Sequence, residues 1–188
     1  MSITTCYGRV SNEQYEAMRA SPDGLVQFAD GTLPGEQCLY LDKAAPVIAW
    51  LLSPHEREQQ ARFASAVRER ENAPVITEPP TPPVDDALAA VMGIGEKDAK
   101  LDAGLGPATV HQADRVARYA QLLAKIDEPE LREHLDFEEM EAATLSVDGW
   151  LDEGEELFTG YVLPLFQQLK LFYKTAAHHR QVVLVWHE

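Results

Sequence analysis

Residues 150–188 read WLDEGEELFTGYVLPLFQQLKLFYKTAAHHRQVVLVWHE, and their pattern decides the fold. Val162, Phe166, Leu169, Tyr173 and Ala176 recur every three or four positions, the buried stripe of a long helix running from Trp150 to about residue 178. Leu165 and Phe172 flank that stripe. Asp152, Glu153, Glu155 and Glu156 open the helix, where negative charge suits the positive end of its dipole; His178, His179 and Arg180 lie at the opposite pole. Pro164 has no amide hydrogen and must kink or split the helix near residues 160–163. Val182–Trp186 then forms an unbroken apolar run, the mark of a strand covered on both faces and therefore central in its sheet.

A central strand needs partners, and working outward finds them at three places. Residues 3–10 (ITTCYGRV) are β-branched and aromatic and predict a strand. Ser11 and Gln14 then match a capping box for a helix over 12–20, stopped by Ser21-Pro22-Asp23-Gly24. Residues 24–37 hold a short apolar turn around Leu25–Ala29 and a Gly/Pro loop. Residues 38–41 (CLYL) predict a second strand, with Asp42 capping a helix from Lys43 to Leu52 that carries Val47, Ile48 and Leu51 on one face. A polar helix over 54–72 follows, docked through Phe63 and Val67. Residues 73–84 contain five of the twelve prolines, which suits a stiff extended connector. Residues 85–92 are a short helix or buried strand, and Gly93, Gly95, Gly104 and Gly106 punctuate a loop. Pro107–Val110 predicts a further strand. Helix 111–126 follows, with Val116, Ala120, Leu123 and Ile126 as its buried stripe, then short acidic helices over 128–135 and 136–143. The expected class is α+β in a single domain: a small mixed sheet from the N-terminal, middle and C-terminal strands, covered by helices.

Composition agrees with one globular domain. The chain has 188 residues, 45% hydrophobic and 25% charged, enough to bury a core without disulfides or metal. Sixteen Lys+Arg against thirty-one Asp+Glu leave a net charge of −15 with His neutral. That balance argues against nucleic acid and against anionic membrane surfaces as partners. Cys6 and Cys38 each lie in an apolar run and read as core thiols, able to pair only if those runs are adjacent. Two cysteines in a chain of this size, no basic N-terminal region and no apolar run near the roughly 18 residues of a membrane span predict a bacterial-type cytoplasmic protein.

The order of several short motifs resembles a known family. They are Tyr7-Gly8-Arg9-Val10-Ser11 before a helix, the Leu41-Asp42-Lys43-Ala44 junction, Trp50-Leu51-Leu52, Gly93 and the Gly104-Leu105-Gly106-Pro107-Ala108 turn. Phe137-Glu138-Glu139-Met140-Glu141-Ala142-Ala143, Trp150 and Leu171-Phe172-Tyr173-Lys174-Thr175-Ala176-Ala177 complete the series. Together they resemble the YfbM-like family of bacterial proteins with a domain of unknown function. The likeness spans residues 1–188 apart from a helix plus Pro-rich insertion at about 54–84. It implies a compact cytosolic α+β domain and no particular activity. At the level of class, small acidic bacterial proteins of this kind also resemble immunity proteins of toxin systems.

One constellation carries a functional signal. Between Asp127 and Glu156 stand thirteen acidic residues and a single basic one, Arg132. A solvated helical face accounts for such a run; so does a surface that meets a basic partner and speeds encounter by steering, by about 10–10³-fold. The second reading assigns partner contacts to Glu130, Glu133, Glu138, Glu139, Glu141, Asp152 and Glu153, with Trp150 as aromatic anchor beside Phe137. The partner would be a basic protein, most concretely a secreted or contact-dependent toxin. Other chemistry has less support. Glu138, Glu139, Glu141, Asp152 and Glu153 lack the ordered spacing of a calcium loop, and the histidines lack metal-ligand spacing, so neither metal nor cofactor is expected. Cys6 sits in an apolar strand that would make its thiol inert. No G-x-S-x-G elbow, phosphate loop or dinucleotide fingerprint is present. The alternatives are a small enzyme using paired carboxylates in a cleft near Gly104–Pro107, or a housekeeping homodimer with residues 54–84 as its interface.

Overall fold

A computed structural model describes residues 4–21, 23–32, 37–69 and 85–188. Five strands form one sheet: β1 (Thr5–Val10), β2 (Cys38–Tyr40), β3 (Glu96–Asp102), β4 (Pro107–His111) and β5 (Val182–His187), in the order β2-β1-β5-β4-β3. The apolar C-terminal strand is central, as its composition requires. Its neighbour β1 pairs along the full strand, from Thr5 opposite His187 to Val10 opposite Val182.

Each pairing is antiparallel, so the sheet is not the mixed one expected. Two long helices, α6 (Ala113–Lys125) and α10 (Leu163–His178), separate β4 from β5 and pack on each other. One helix between two strands yields a parallel pair, whereas two passes return the chain to the end of the sheet it left. A second correction concerns residues 96–102. The glycine spacing suggested a loop, but EKDAKLD is an edge strand that hairpins with β4 through Gly104 and Gly106, both at positive φ. Only Leu101 of β3 is fully buried, which removes the hydrophobic signal a strand normally carries.

The sheet is covered on both faces. Tyr7, Leu39, Val183 and Val185 point into the larger core, beneath α3 (Ala44–Leu52), α5 (Asp86–Met92), α6 and α10. Cys6, Val10, Leu184 and Trp186 point the other way, against α1 (Asn12–Ala20), α2 (Gly24–Gln27) and Phe28. Gly8 is required on this second face, because a Cβ there would stand 2.1 Å from the Phe28 ring. The Ser11–Gln14 capping box starts α1. Residues 85–92 resolve as α5, capped by the Asp85 carboxylate and closed by Gly93 in the left-handed region.

Asp42 does not cap α3, as its position suggested. Its backbone is left-handed at φ 46°, Lys43 occupies the cap position without a side-chain bond, and the Asp42 carboxylate accepts from the Tyr161 hydroxyl instead, at 2.8 Å. The long C-terminal helix divides where Pro164 demands it. Helix α9 (Trp150–Leu157) passes into a wide turn at Phe158–Val162 and then into α10, whose second residue is Pro164. The expanded turn absorbs the missing amide hydrogen. The buried stripe of Val162, Phe166, Leu169, Tyr173 and Ala176 is as expected. Helix α4 spans Pro54–Glu69, and Arg57 turns back to donate to the last carbonyls of α3. The proline segment 73–84 and the docking assigned to Phe63 and Val67 lie outside the described residues and side chains.

Candidate protein-binding face

The acidic run forms α7 (Glu128–Arg132), α8 (Phe137–Ala142) and α9, three short helices of which α8 packs on α9 and on α4. Its carboxylates divide by task. Asp127 and Asp136 are N-caps, accepting from the amides of Glu130 and Glu139 at 3.0 and 2.9 Å. Glu141, half-buried, accepts from the Trp150 amide at 2.9 Å and so holds the start of α9 against α8. Arg132 is consumed internally. It bonds Glu128 at 2.8 Å, forks onto both oxygens of Glu155 at 2.8 and 3.1 Å, and lies over the Phe158 ring. That fork holds the Glu155 carboxyl below its ordinary range.

The remaining acids face solvent. Glu130, Glu133, Glu138, Glu139, Asp152 and Glu153 are all exposed, and the charge of Glu139 acts on Arg57 of α4. Trp150 is different from expectation. It is 1% exposed, stacked on Phe137 at 6.3 Å and 13°, and forms part of the core. The approach is tight: a Cβ on Gly154 would stand 2.7 Å from the Phe137 ring. The apolar group that does face outward is its neighbour Leu151, 63% exposed among Asp152, Glu153 and Glu155. A tryptophan beside an acidic run draws attention from sequence; the helical phase of α9, fixed by Glu141 and Phe137, decides that Leu151 is displayed instead.

Elsewhere the structure places the other candidates plainly. Among the described residues, no group of three or more His, Cys, Asp or Glu could hold a metal ion. His178 and His179 meet edge to face at the C-terminal end of α10. Cys6 and Cys38 lie on adjacent strands and the same face but are free thiols, and burial pushes the Cys6 thiol up to about 12. Gly104 and Gly106 border open space. A cleft of about 450 Å³ lies at the other end of that hairpin, lined by Gly95, Glu96, Val110, Gln112, Asp114 and Arg115. Two described carboxyls are displaced from their ordinary pKa, Asp98 and Glu155. Both are lowered, and both are bound by arginine, the opposite of what a general acid needs.

Behind that cleft is a polar cluster with no counterpart in the sequence reading. His111 is fully buried at the end of β4, edge-on to Tyr119 at 5.0 Å, with Nδ1 3.2 Å from the Tyr173 hydroxyl. Tyr173 donates to the Ala90 carbonyl at 2.9 Å, and Tyr7 donates to the Val91 carbonyl. These hydroxyls satisfy the carbonyls at the end of α5. Burial, reinforced by the charge of Arg115 and opposed by the nearby Ile94 carbonyl, lowers the His111 pKa to about 4.

Comparison with known proteins places this architecture. No curated protein matches the chain. A crystal structure of YfbM from Escherichia coli, a protein of unknown function, superposes with a TM-score of 0.60 at 18% identity, covering 97% of this chain and 98% of that one. No helix among the described residues is long and apolar enough to cross a membrane. A family model described as a domain of unknown function, DUF1877, matches residues 1–186, and the chain belongs to that family.

Proposed function

We propose that this protein is a cytoplasmic, non-catalytic binding module that neutralises a basic bacterial toxin through the α7–α9 face. One observation carries the reading: six exposed carboxylates and an exposed leucine stand along the α7–α9 segment, whose one arginine is already paired. Such a face attracts a basic cleft over a Debye length of roughly 8–10 Å, and an exposed apolar group supplies short-range contact once it docks. Rigidity supports it as well. Two aspartate caps, the Glu141 tether and the Phe137–Trp150 stack fix the backbone that presents the charges, so little ordering entropy is lost on binding.

The contacts are assigned to Glu130, Glu133, Glu138, Glu139, Asp152 and Glu153 with Leu151; Glu141 and Trp150 act as their scaffold. The test is a tagged pull-down from the native cell at low and high salt, followed by association kinetics with the purified partner. Changing Glu138, Asp152 and Glu153 to Lys is expected to slow association by about tenfold or more. An association rate indifferent to those changes and to salt removes the proposal.

A further inference from the structure

We propose that the outer face of α9–α10 binds a second copy of this chain, forming a two-fold dimer in which Glu156 of each copy meets Lys174 of the other. The inference does not rest on the toxin-binding face, since Glu156 is not among its contacts, and it uses a different surface from residues 54–84. It starts from the ridge that this stretch turns to solvent. Glu156, Gly160, Pro164, Gln167, Leu171 and Lys174 follow one another at steps of 4, 4, 3, 4 and 3. The wide turn at Phe158–Val162 joins α9 to α10 without leaving helical backbone: Leu157, Phe158, Val162 and Leu163 are all right-handed. The two longer steps span that turn, so the six residues lie along one side. All are exposed except Pro164, which is half-buried, while Phe158, Val162, Phe166, Leu169 and Tyr173 between them face the core.

Two residues of the ridge have no role inside their own chain. Gly160 sits within the helical stretch and is not among the glycines at positive φ, so nothing in its backbone demands glycine, which is less favourable there than alanine. A Cβ at this position would meet nothing within 4 Å, so no neighbour in the chain demands it either. Leu171 is 63% exposed. A bare glycine lets another surface approach the helix backbone closely, and Leu171 is an apolar side chain of the kind that such a seat accepts.

The ridge is its own complement. Reversed about a point between Leu165 and Phe166, it sets Glu156 opposite Lys174, Gly160 opposite Leu171 and Pro164 opposite Gln167. A two-fold interface demands this relation, because residue i meets j wherever j meets i. Charge follows the same reversal. Asp152, Glu153, Glu155 and Glu156 stand at one end, whereas residues 157–187 contain no Asp or Glu and carry Lys170, Lys174 and Arg180 toward the other. Among the described residues no ion pair within the chain engages Glu156 or Lys174. A chain of net charge −15 repels its copy, and an antiparallel pairing of these ridges replaces that repulsion locally with two acid–cation contacts. From Glu156 to Lys174 the ridge is roughly 27 Å long. One such face buries an area at the low end for specific interfaces, below about 1,200 Å², which fits a weak, transient dimer.

Sedimentation equilibrium of the full-length protein from about 10 μM to about 1 mM tests the proposal. The wild type is expected to pass from monomer to dimer over that range, with nothing larger. Lys174→Glu and Glu156→Lys, both at exposed positions, should each weaken dimerisation by about tenfold or more and leave the circular dichroism unchanged. An equimolar mixture of the two variants should regain the wild-type association, because one copy of each restores both opposite-charge contacts. Gly160→Gln, whose side chain has room in the monomer, should also weaken the dimer by filling the seat of Leu171. A wild type that stays monomeric throughout, growth beyond a dimer, single variants that associate as the wild type does, or a mixture no better associated than its components each overturns the proposal.

Discussion

Acidifying the protein from pH 7 to pH 5 should remove about 2 kcal/mol of stability through His111 alone. In the folded chain its pKa falls from the ordinary 6.5 to about 4, chiefly because burial penalises the imidazolium. Below pH 6.5 the unfolded chain takes up a proton that the folded chain refuses. The unfolded state is therefore favoured as pH falls, by at most about 1.4 kcal/mol per unit, until the folded histidine titrates near 4. The contribution is complete above pH 6.5, and the largest loss falls between pH 6.5 and 4. Other groups also titrate in this range; neutralising carboxylates on a chain of net charge −15 relieves repulsion and acts in the opposite direction. The measurement is thus a difference. His111→Phe keeps a ring beside Tyr119 and leaves Tyr173 bonded to Ala90, but cannot titrate. Urea unfolding at pH 7, 6 and 5, followed by the fluorescence of the buried Trp50, Trp150 and Trp186, gives both stabilities. The wild-type stability minus that of the variant should fall by about 2 kcal/mol between pH 7 and 5. Parallel pH profiles, or an imidazole midpoint near 6.5 by NMR, would refute the reasoning.

Trp150→Ala should lower stability by about 3–5 kcal/mol, the range for a large aromatic removed from a core, whereas Leu151→Ala should leave the denaturation midpoint unchanged and alter only partner affinity. Gly24→Ala should cost about 1–3 kcal/mol in chemical denaturation, because its Cβ would stand 2.3 Å from the Met18 carbonyl oxygen, a backbone atom that cannot swing aside. With its pKa near 12, Cys6 should react with a maleimide at pH 8 about a thousandfold more slowly than a thiol of ordinary pKa, read by peptide mass spectrometry of the native protein.

Legibility followed the range of the deciding contact. The capping box at Ser11 and Gln14 closes over three residues and is readable from them. The break at Pro164 and the central place of Val182–Trp186 follow from composition, since proline lacks a donor and a strand covered on both sides has no polar face. Asp42 shows the limit. Its local setting reads as a cap, but its partner Tyr161 is 119 positions away, and the backbone conformation follows that contact. Edge strand β3 hid because its exposed faces carry Lys and Asp, and one leucine makes no pattern. For the candidate sites, charge density located α7–α9, while the exchange of roles between Trp150 and Leu151 depended on helix phase. His111 was unreadable because its setting is assembled from β4, α5, α6 and α10.

The pairing of β1 with β5 has a consequence for biosynthesis. Arg9, leaving β1, bonds Gln181 just before β5, a separation of 172 positions. A ribosome has therefore released almost all of this chain before the strand made first can meet its main partner. Until then Cys6, Tyr7 and Gly8 can pair only with the three-residue strand β2, and Val10 has no strand opposite it. The sheet cannot close vectorially behind the advancing polypeptide. Translation that stalls before residue 182 leaves an apolar strand without its mate, a species for chaperones and proteases rather than a smaller version of the fold.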